Sequence, residues 1–168
     1  MLRRPMKPRS TGFTLVELMI VVLIASILVG ISVPLYQTQV QHSRRTDAKT
    51  ALLDLAVREE KYLTLNNSYT SSASPLGYSA LPVQVGGLYY TVYVCPGPAT
   101  TSTATTTACP SGTPAATGIS FIVSAIPVAG TSQAKDSQCQ YFAVDNTGTQ
   151  FASSTTAGGT DTTSTCWH

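Results

Sequence analysis

The chain has 168 residues, of which 11% are charged against about 25% in ordinary soluble domains, and its side chains balance at +2. So few charges exclude a basic stripe able to neutralise several phosphates, and the isolated His42 and His168, with cysteines 14, 30 and 27 residues apart, exclude a zinc site. No phosphate-cradling glycine loop, haem attachment sequence or acid pair beside a histidine is present, so no catalytic residue, metal or other cofactor is expected and the chain is not read as an enzyme.

The first segment concentrates what charge there is. Arg3, Arg4, Lys7 and Arg9 crowd residues 1–12, which end in Gly12, and the run FTLVELMIVVLIASILVGISVP follows with a single acid, Glu17. From Leu18 to Val33 sixteen residues carry no charge, and counting from Phe13 the weakly polar span reaches the roughly 20 residues a helix needs to cross the hydrocarbon core. No basic residue follows until Arg44, so the positive-inside rule keeps the leader cytoplasmic and sends everything after Pro34 across the membrane. A cut between Gly12 and Phe13 would remove the charges and keep the apolar segment, the reverse of an ordinary secretory signal. The small-x-small pattern Gly30-Ile31-Ser32 would instead let a signal peptidase cut before Val33, but that leaves Glu17 and the border glycine without a role.

Glu17 is the anomaly of the span. A mid-bilayer acid costs on the order of 2.5 to 3.5 kcal/mol, less near a helix end, and asks for a cation. The amine that cleavage creates at Phe13 is the nearest candidate, four residues away on the same helical face, and the helix dipole favours an acid there. Two readings stand: an intrachain pair or headgroup acid, and capture of a neighbouring subunit's Phe13 amine, which would set the stagger between subunits.

Beyond Pro34, which should kink the helix, Ala48, Ala51, Leu52, Leu55, Ala56, Tyr62 and Leu63 recur at three- and four-residue steps. Arg44, Arg45, Asp47, Lys49, Asp54, Arg58 and Glu60 between them predict a polar outer face, with Asp54 and Arg58 paired at i, i+4. Asn66-Asn67-Ser68 supplies the stop; it also fits a glycosylation sequon, although a helix cap is the plainer use. The helix from Phe13 to Asn66 would measure roughly 80 Å, its first half projecting as a handle.

From Thr64 onward the only basic residue is Lys135, while serine and threonine abound. Strands are predicted over Leu88–Cys95, Gly118–Ile126, Gln138–Val144 and Gly148–Ala152, the last two joined by a hairpin at Asp145-Asn146-Thr147-Gly148. The expected fold is α+β: a long, protruding N-terminal helix kinked at Pro34 and packed on a four-stranded antiparallel sheet. Cys95, Cys109, Cys139 and Cys166 all fall on the oxidising side, which predicts disulfides. Of three connectivities, Cys95 with Cys109 and Cys139 with Cys166 is favoured because each pair closes one loop leaving a strand. The domain plan is a cleaved leader over 1–12, an apolar helix over 13–34 and a globular head over 35–168.

The string Gly12-Phe13-Thr14-Leu15-Val16-Glu17-Leu18-Met19-Ile20-Val21-Val22, after a short basic leader and followed by Pro34, resembles the prepilin signature of type IV pilins, of the type IVa kind, and of the related type II secretion pseudopilins. The resemblance implies cleavage after Gly12 by a prepilin peptidase, N-methylation of Phe13, and a docking role for Glu17. It implies a helical homopolymer as the main partner, with the membrane before assembly, inner-membrane assembly machinery and minor pilins as further partners. The precursor would sit in the inner membrane and the product in an extracellular filament for twitching motility, adhesion and DNA uptake. The span Cys139 to Cys166 resembles the disulfide-bounded loop that many pilins expose. Ser26 departs from the family, where many members have a helix-loosening glycine, while Gly30 lies four residues later. Alternatives are a pseudopilin and a membrane-anchored adhesin that does not polymerise. Removing the four leader bases from the ten leaves six against eight acids, so direct DNA binding by the head is expected to be weak.

Overall fold

A threonine opens the first element. In the computed structural model, which describes residues 12–96, 120–155 and 159–168, Thr14 precedes helix α1 (Leu15–Asn66), and its hydroxyl accepts the Glu17 N–H at 3.2 Å. That is half of the Thr-x-x-Glu capping box, which satisfies one of the donors a helix start leaves unpaired. Helix α1 is 52 residues long and carries Pro34 in its interior without a break; Ser26, Gly30 and Pro34 are all helical. Proline has no N–H to give the Gly30 carbonyl, so one ladder bond is missing there. The helix ends where Asn67 turns left-handed at φ 54° and donates its N–H to the Leu63 carbonyl, a single-bond left-handed cap.

The chain divides into two compact units after Gln39. In the first, every large apolar side chain from Phe13 to Tyr36 is exposed, and this stretch is long and apolar enough to cross a membrane. The second holds the core.

Among the described residues five strands form one antiparallel sheet in the order β1-β2-β3-β4-β5: β1 (Val83–Val85), β2 (Tyr90–Pro96), β3 (Phe121–Pro127), β4 (Tyr141–Asp145) and β5 (Gln150–Ser153). The predicted four become five because Val83–Val85 is three residues long, too short to show an alternating run, and is fixed by pairing with Tyr90–Val92. The strand predicted from Leu88 begins at Tyr90, since Gly86, Gly87 and Leu88 all have positive φ and make the β1 to β2 turn. The hairpin is where Asp145-Asn146-Thr147-Gly148 put it. The Asp145 carboxylate accepts the Thr147 and Thr149 N–H groups at 2.8 and 2.9 Å, and Gly148 takes φ 79°.

Ala48, Leu52 and Leu55 of α1 pack with Tyr90, Val92, Val123, Phe142 and Val144 of the sheet, all essentially buried. The alternation is visible in β3, where Phe121, Val123 and Ala125 face the core and Ile122 is exposed. Each large core side chain removed from water contributes about 1.5 to 3 kcal/mol. A short C-terminal helix, α2 (Thr163–Cys166), is tied to the chain before β4 by the Cys139–Cys166 disulfide. That pairing matches the expectation, and closing a 27-residue separation restricts the unfolded chain by about 3 to 4 kcal/mol on the loop-entropy account. Cys95 is also disulfide-bonded, whereas Cys109 and the first expected loop lie outside the described residues.

Candidate functional site

The N-terminal residues picked out by sequence sit at the very start of α1. Gly12 and Phe13 precede it, Thr14 caps it, and Glu17 occupies its third position, all exposed. Among the described residues no cation pairs with the Glu17 carboxylate. An acid at this position is favoured by the helix dipole, yet its side chain is surrounded in sequence by apolar residues that are themselves uncovered. The arrangement can do one chemical thing: present a carboxylate, in the first turn of the helix, on an apolar surface.

The head has a second charged centre, which the sequence reading placed on the outer face of the helix. Arg45 is a correction to that reading: it is buried, and its Nε and Nη2 donate to Asp136 Oδ2 and Oδ1 at 2.7 and 2.8 Å, with side-chain exposures of 8% and 2%. Asp136 also accepts the Gln138 and Cys139 N–H groups and the Gln133 amide, and Gln133 donates to the Tyr90 hydroxyl at 2.8 Å. This bidentate pair therefore organises the chain between β3 and β4 and leads directly into the disulfide. Arg44 stacks its guanidinium 3.4 Å over the Tyr89 ring and donates to Ser132, and Lys49 donates to the Cys166 carbonyl. Burial, and then Arg45, hold the Lys49 amine below its ordinary range. Asp47, Asp54, Arg58 and Glu60 are exposed, as the predicted outer-face pattern has them, with Asp54 and Arg58 paired at 2.7 Å. Arg58, followed by burial and Tyr78, sets Asp54, with a net fall below the usual carboxylate range.

Glu59 was missed altogether. It is fully buried, accepts the Thr70 N–H on Oε2 at 3.1 Å, and leaves Oε1 without a partner among the described residues. Burial raises its carboxyl to about 7, opposed in part by the Thr70 N–H and helped by the charge of Glu60. The signal was positional. Arg45, Ala48, Leu52, Leu55 and Glu59 form one stripe at three- and four-residue steps, so two charged residues stand where the period demands core. At the C-terminus, Trp167 donates its indole N–H to the Phe151 carbonyl and meets the Phe142 ring edge-on at 6.0 Å. Asp161 lies exposed beside α2, where the Thr163 hydroxyl and then the Thr163 N–H lower its carboxyl below the usual range. Among the described residues no cluster of histidine, cysteine or acidic side chains could hold a metal.

An apolar helix that opens on an acid and closes as the spine of a disulfide-tied, antiparallel head defines a type IV pilin. Residues 34–143 match the family described as "Type IV minor pilin ComP, DNA uptake sequence receptor", and the chain belongs to that family; residues 7–33 match the prokaryotic N-terminal methylation motif. The chain is 36% identical over 72 residues to the type IV major pilin protein PilA of Myxococcus xanthus, covering 43% of this chain and 33% of that protein. It is 39% identical over 83 residues to the type IV major fimbrial protein FimA of Dichelobacter nodosus, covering 42% of this chain and 52% of that one. The chain thus spans between a third and about half of the length of these relatives. A solved type IV pilin from Shewanella oneidensis superposes with a TM-score of 0.40 at 21% identity, over 66% of this chain and 89% of that one.

Proposed function

We propose that the chain is a subunit of a type IV pilus, processed between Gly12 and Phe13, methylated on the Phe13 amine, and held in a filament through its apolar helix. The observation that carries this reading is the uncovered apolar face of α1 from Phe13 to Tyr36 with Glu17 as its one acid. Such a surface is stable in lipid or against copies of itself, and a charge inside it favours whatever arrangement brings a cation. Asp161, exposed within the Cys139–Cys166 span, belongs to the outward part of the head in this reading.

The family match over residues 34–143 supports a minor rather than a major subunit, because it covers most of the head and not just the shared N-terminus. The test is the N-terminus and abundance of the chain in fibres sheared from cells. N-methyl-Phe13 on a minor band is the expected result. Phe13 on the dominant band would place the chain with the major pilins it resembles, and an uncleaved leader would sink the pilus reading in favour of a membrane-anchored adhesin.

The family's description names a DNA receptor, but the charges of this head support only weak attraction to phosphate. Of its basic side chains Arg45 is buried against Asp136, Arg58 is paired with Asp54 and Lys49 is turned to a carbonyl, which leaves Arg44, Lys61 and Lys135. With so few charges to release counterions, the full chain in detergent is expected to bind duplex DNA with a dissociation constant above the micromolar range at physiological salt. Submicromolar binding in a fluorescence-anisotropy titration would overturn this.

A further inference from the structure

Segment 67–72, which leaves the end of α1, crosses over the aromatic edge of the core. Asn67 is bonded back to Leu63, the Tyr69 hydroxyl donates to Glu60 at 2.8 Å, and the Tyr69 ring lies edge-on to Phe121 at 4.7 Å. The Thr70 N–H points inward to Glu59, and Ser72 donates its N–H to the Thr70 hydroxyl. Tyr69, Thr70 and Phe121 are all buried.

Glu59 meets this strap in an arrangement suited to a neutral acid. One oxygen has a single backbone donor, the other has none among the described residues, and the side chain has 0% exposure. Among the described residues no cation compensates it: the charged or titratable groups that act on it are Glu60 from its own helix and Tyr69 from the strap, while Arg58 is bound to Asp54 and to the Leu76 carbonyl. Phe121 and Ser120, at the start of β3, bring no charge. An ionised carboxylate there would be a buried, unpaired charge, which a structure relieves either by binding a proton or by letting in water. Water can reach Glu59 if the strap lifts.

We propose that segment 67–72 is a proton-held strap: a neutral Glu59 keeps it closed over Phe121, and loss of that proton releases it and uncovers the Tyr69 and Phe121 pair. The sign follows from the raised carboxyl. The closed state binds a proton up to about pH 7 whereas a hydrated glutamate releases its proton near its ordinary value of 4.5. Closure is therefore fully supported below that lower value, weakens by about tenfold per pH unit as pH rises towards 7, and levels off above. Glu60 has the same sign of effect on Glu59 and sits outside the burial, so it tunes the transition without causing it.

The experiment is amide hydrogen exchange of the full chain in detergent micelles, from pH 5 to 8, corrected for intrinsic exchange. Protection of the Thr70 amide and its neighbours is expected to fall by roughly fifty- to a hundredfold across that range. Glu59→Gln, whose amide oxygen can keep the Thr70 N–H without a titrating charge, should make the same amides indifferent to pH, and Glu60→Gln should leave the fall in place. Wild-type protection that does not change with pH, or an undiminished fall in Glu59→Gln, overturns the strap. If Glu59→Gln does not fold, the carbon-13 titration of the Glu59 carboxyl in the wild type decides: a midpoint in the ordinary carboxylate range overturns it and one near neutrality supports it.

Discussion

Replacing Asp136 with alanine is expected to lower the stability of the head by about 3 to 5 kcal/mol, the usual cost of leaving one member of a buried ion pair alone. The magnitude is large because the carboxylate has several dependants. Arg45 loses both oxygens, at 2.7 and 2.8 Å, and cannot escape to solvent. The N–H groups of Gln138 and Cys139 and the Gln133 amide lose their acceptor as well. Asp136→Asn should cost less, since an amide oxygen still serves the backbone donors while the charge on Arg45 goes unanswered. The double change Arg45→Met with Asp136→Leu removes the stranded charge but leaves two backbone donors unmet, so it should recover part of the loss and not all. Denaturant unfolding followed by Trp167, the only tryptophan and one in contact with Phe142, reports all three. At roughly 3 to 6 °C per kcal/mol for a head of this size, the alanine variant should melt about 10 to 30 °C lower. A loss below about 1 kcal/mol would mean that water or neighbouring groups answer Arg45 in the variant, against the burial seen here.

Asp136 also marks the boundary of what sequence could reveal. The long helix, its stop at Asn66 and the hairpin at Asp145 were legible because each rests on local chemistry: a 3.6-residue period, a left-handed asparagine, an aspartate that accepts its own turn's N–H groups. The Cys139–Cys166 pairing was legible because an oxidising side was expected and each favoured pair closes one loop leaving a strand. What stayed hidden depends on residues far apart in the chain. Arg45 and Asp136 are 91 positions apart, and a charged residue was sorted to the solvent face by type although its position lay on the core stripe. Glu59 was passed over for the same reason. Residue type says what a side chain prefers, whereas the period says where the backbone puts it, and when they conflict a partner or a proton settles the difference. Strand β1 was hidden because three residues have no period to show, and its place comes from the edge of β2. At the N-terminus the motif was legible, but the Thr14 cap was not weighed: its hydroxyl accepts the Glu17 backbone N–H, and the Thr-x-x-Glu spacing offers the acid a local role at the helix start beside the intersubunit one proposed for it.

Those two uses of Glu17 predict different outcomes for one pair of substitutions. If its role is to complete the helix start with Thr14, glutamine serves nearly as well as glutamate, because either can occupy the third position of a capping box. If its role is to meet a neighbouring subunit's Phe13 amine, glutamine fails as badly as alanine, because the amine then enters an apolar bundle with no counter-charge. We expect the second. Losing one partner of a desolvated pair costs about 3 to 5 kcal/mol, which at 1.4 kcal/mol per factor of ten corresponds to at least about a hundredfold less assembled subunit. Glu17→Ala and Glu17→Gln should both remove the subunit from sheared surface fibres while the precursor is still made, inserted and cut before Phe13. Thr14→Val, which deletes the hydroxyl that accepts the Glu17 N–H but keeps the charge, should weaken the helix start by about 1 kcal/mol and leave assembly largely intact. Incorporation into fibres restored by glutamine would assign Glu17 to the cap. Incorporation unchanged even in Glu17→Ala would remove the charge from the assembly altogether and leave the apolar face of α1 as its sole determinant.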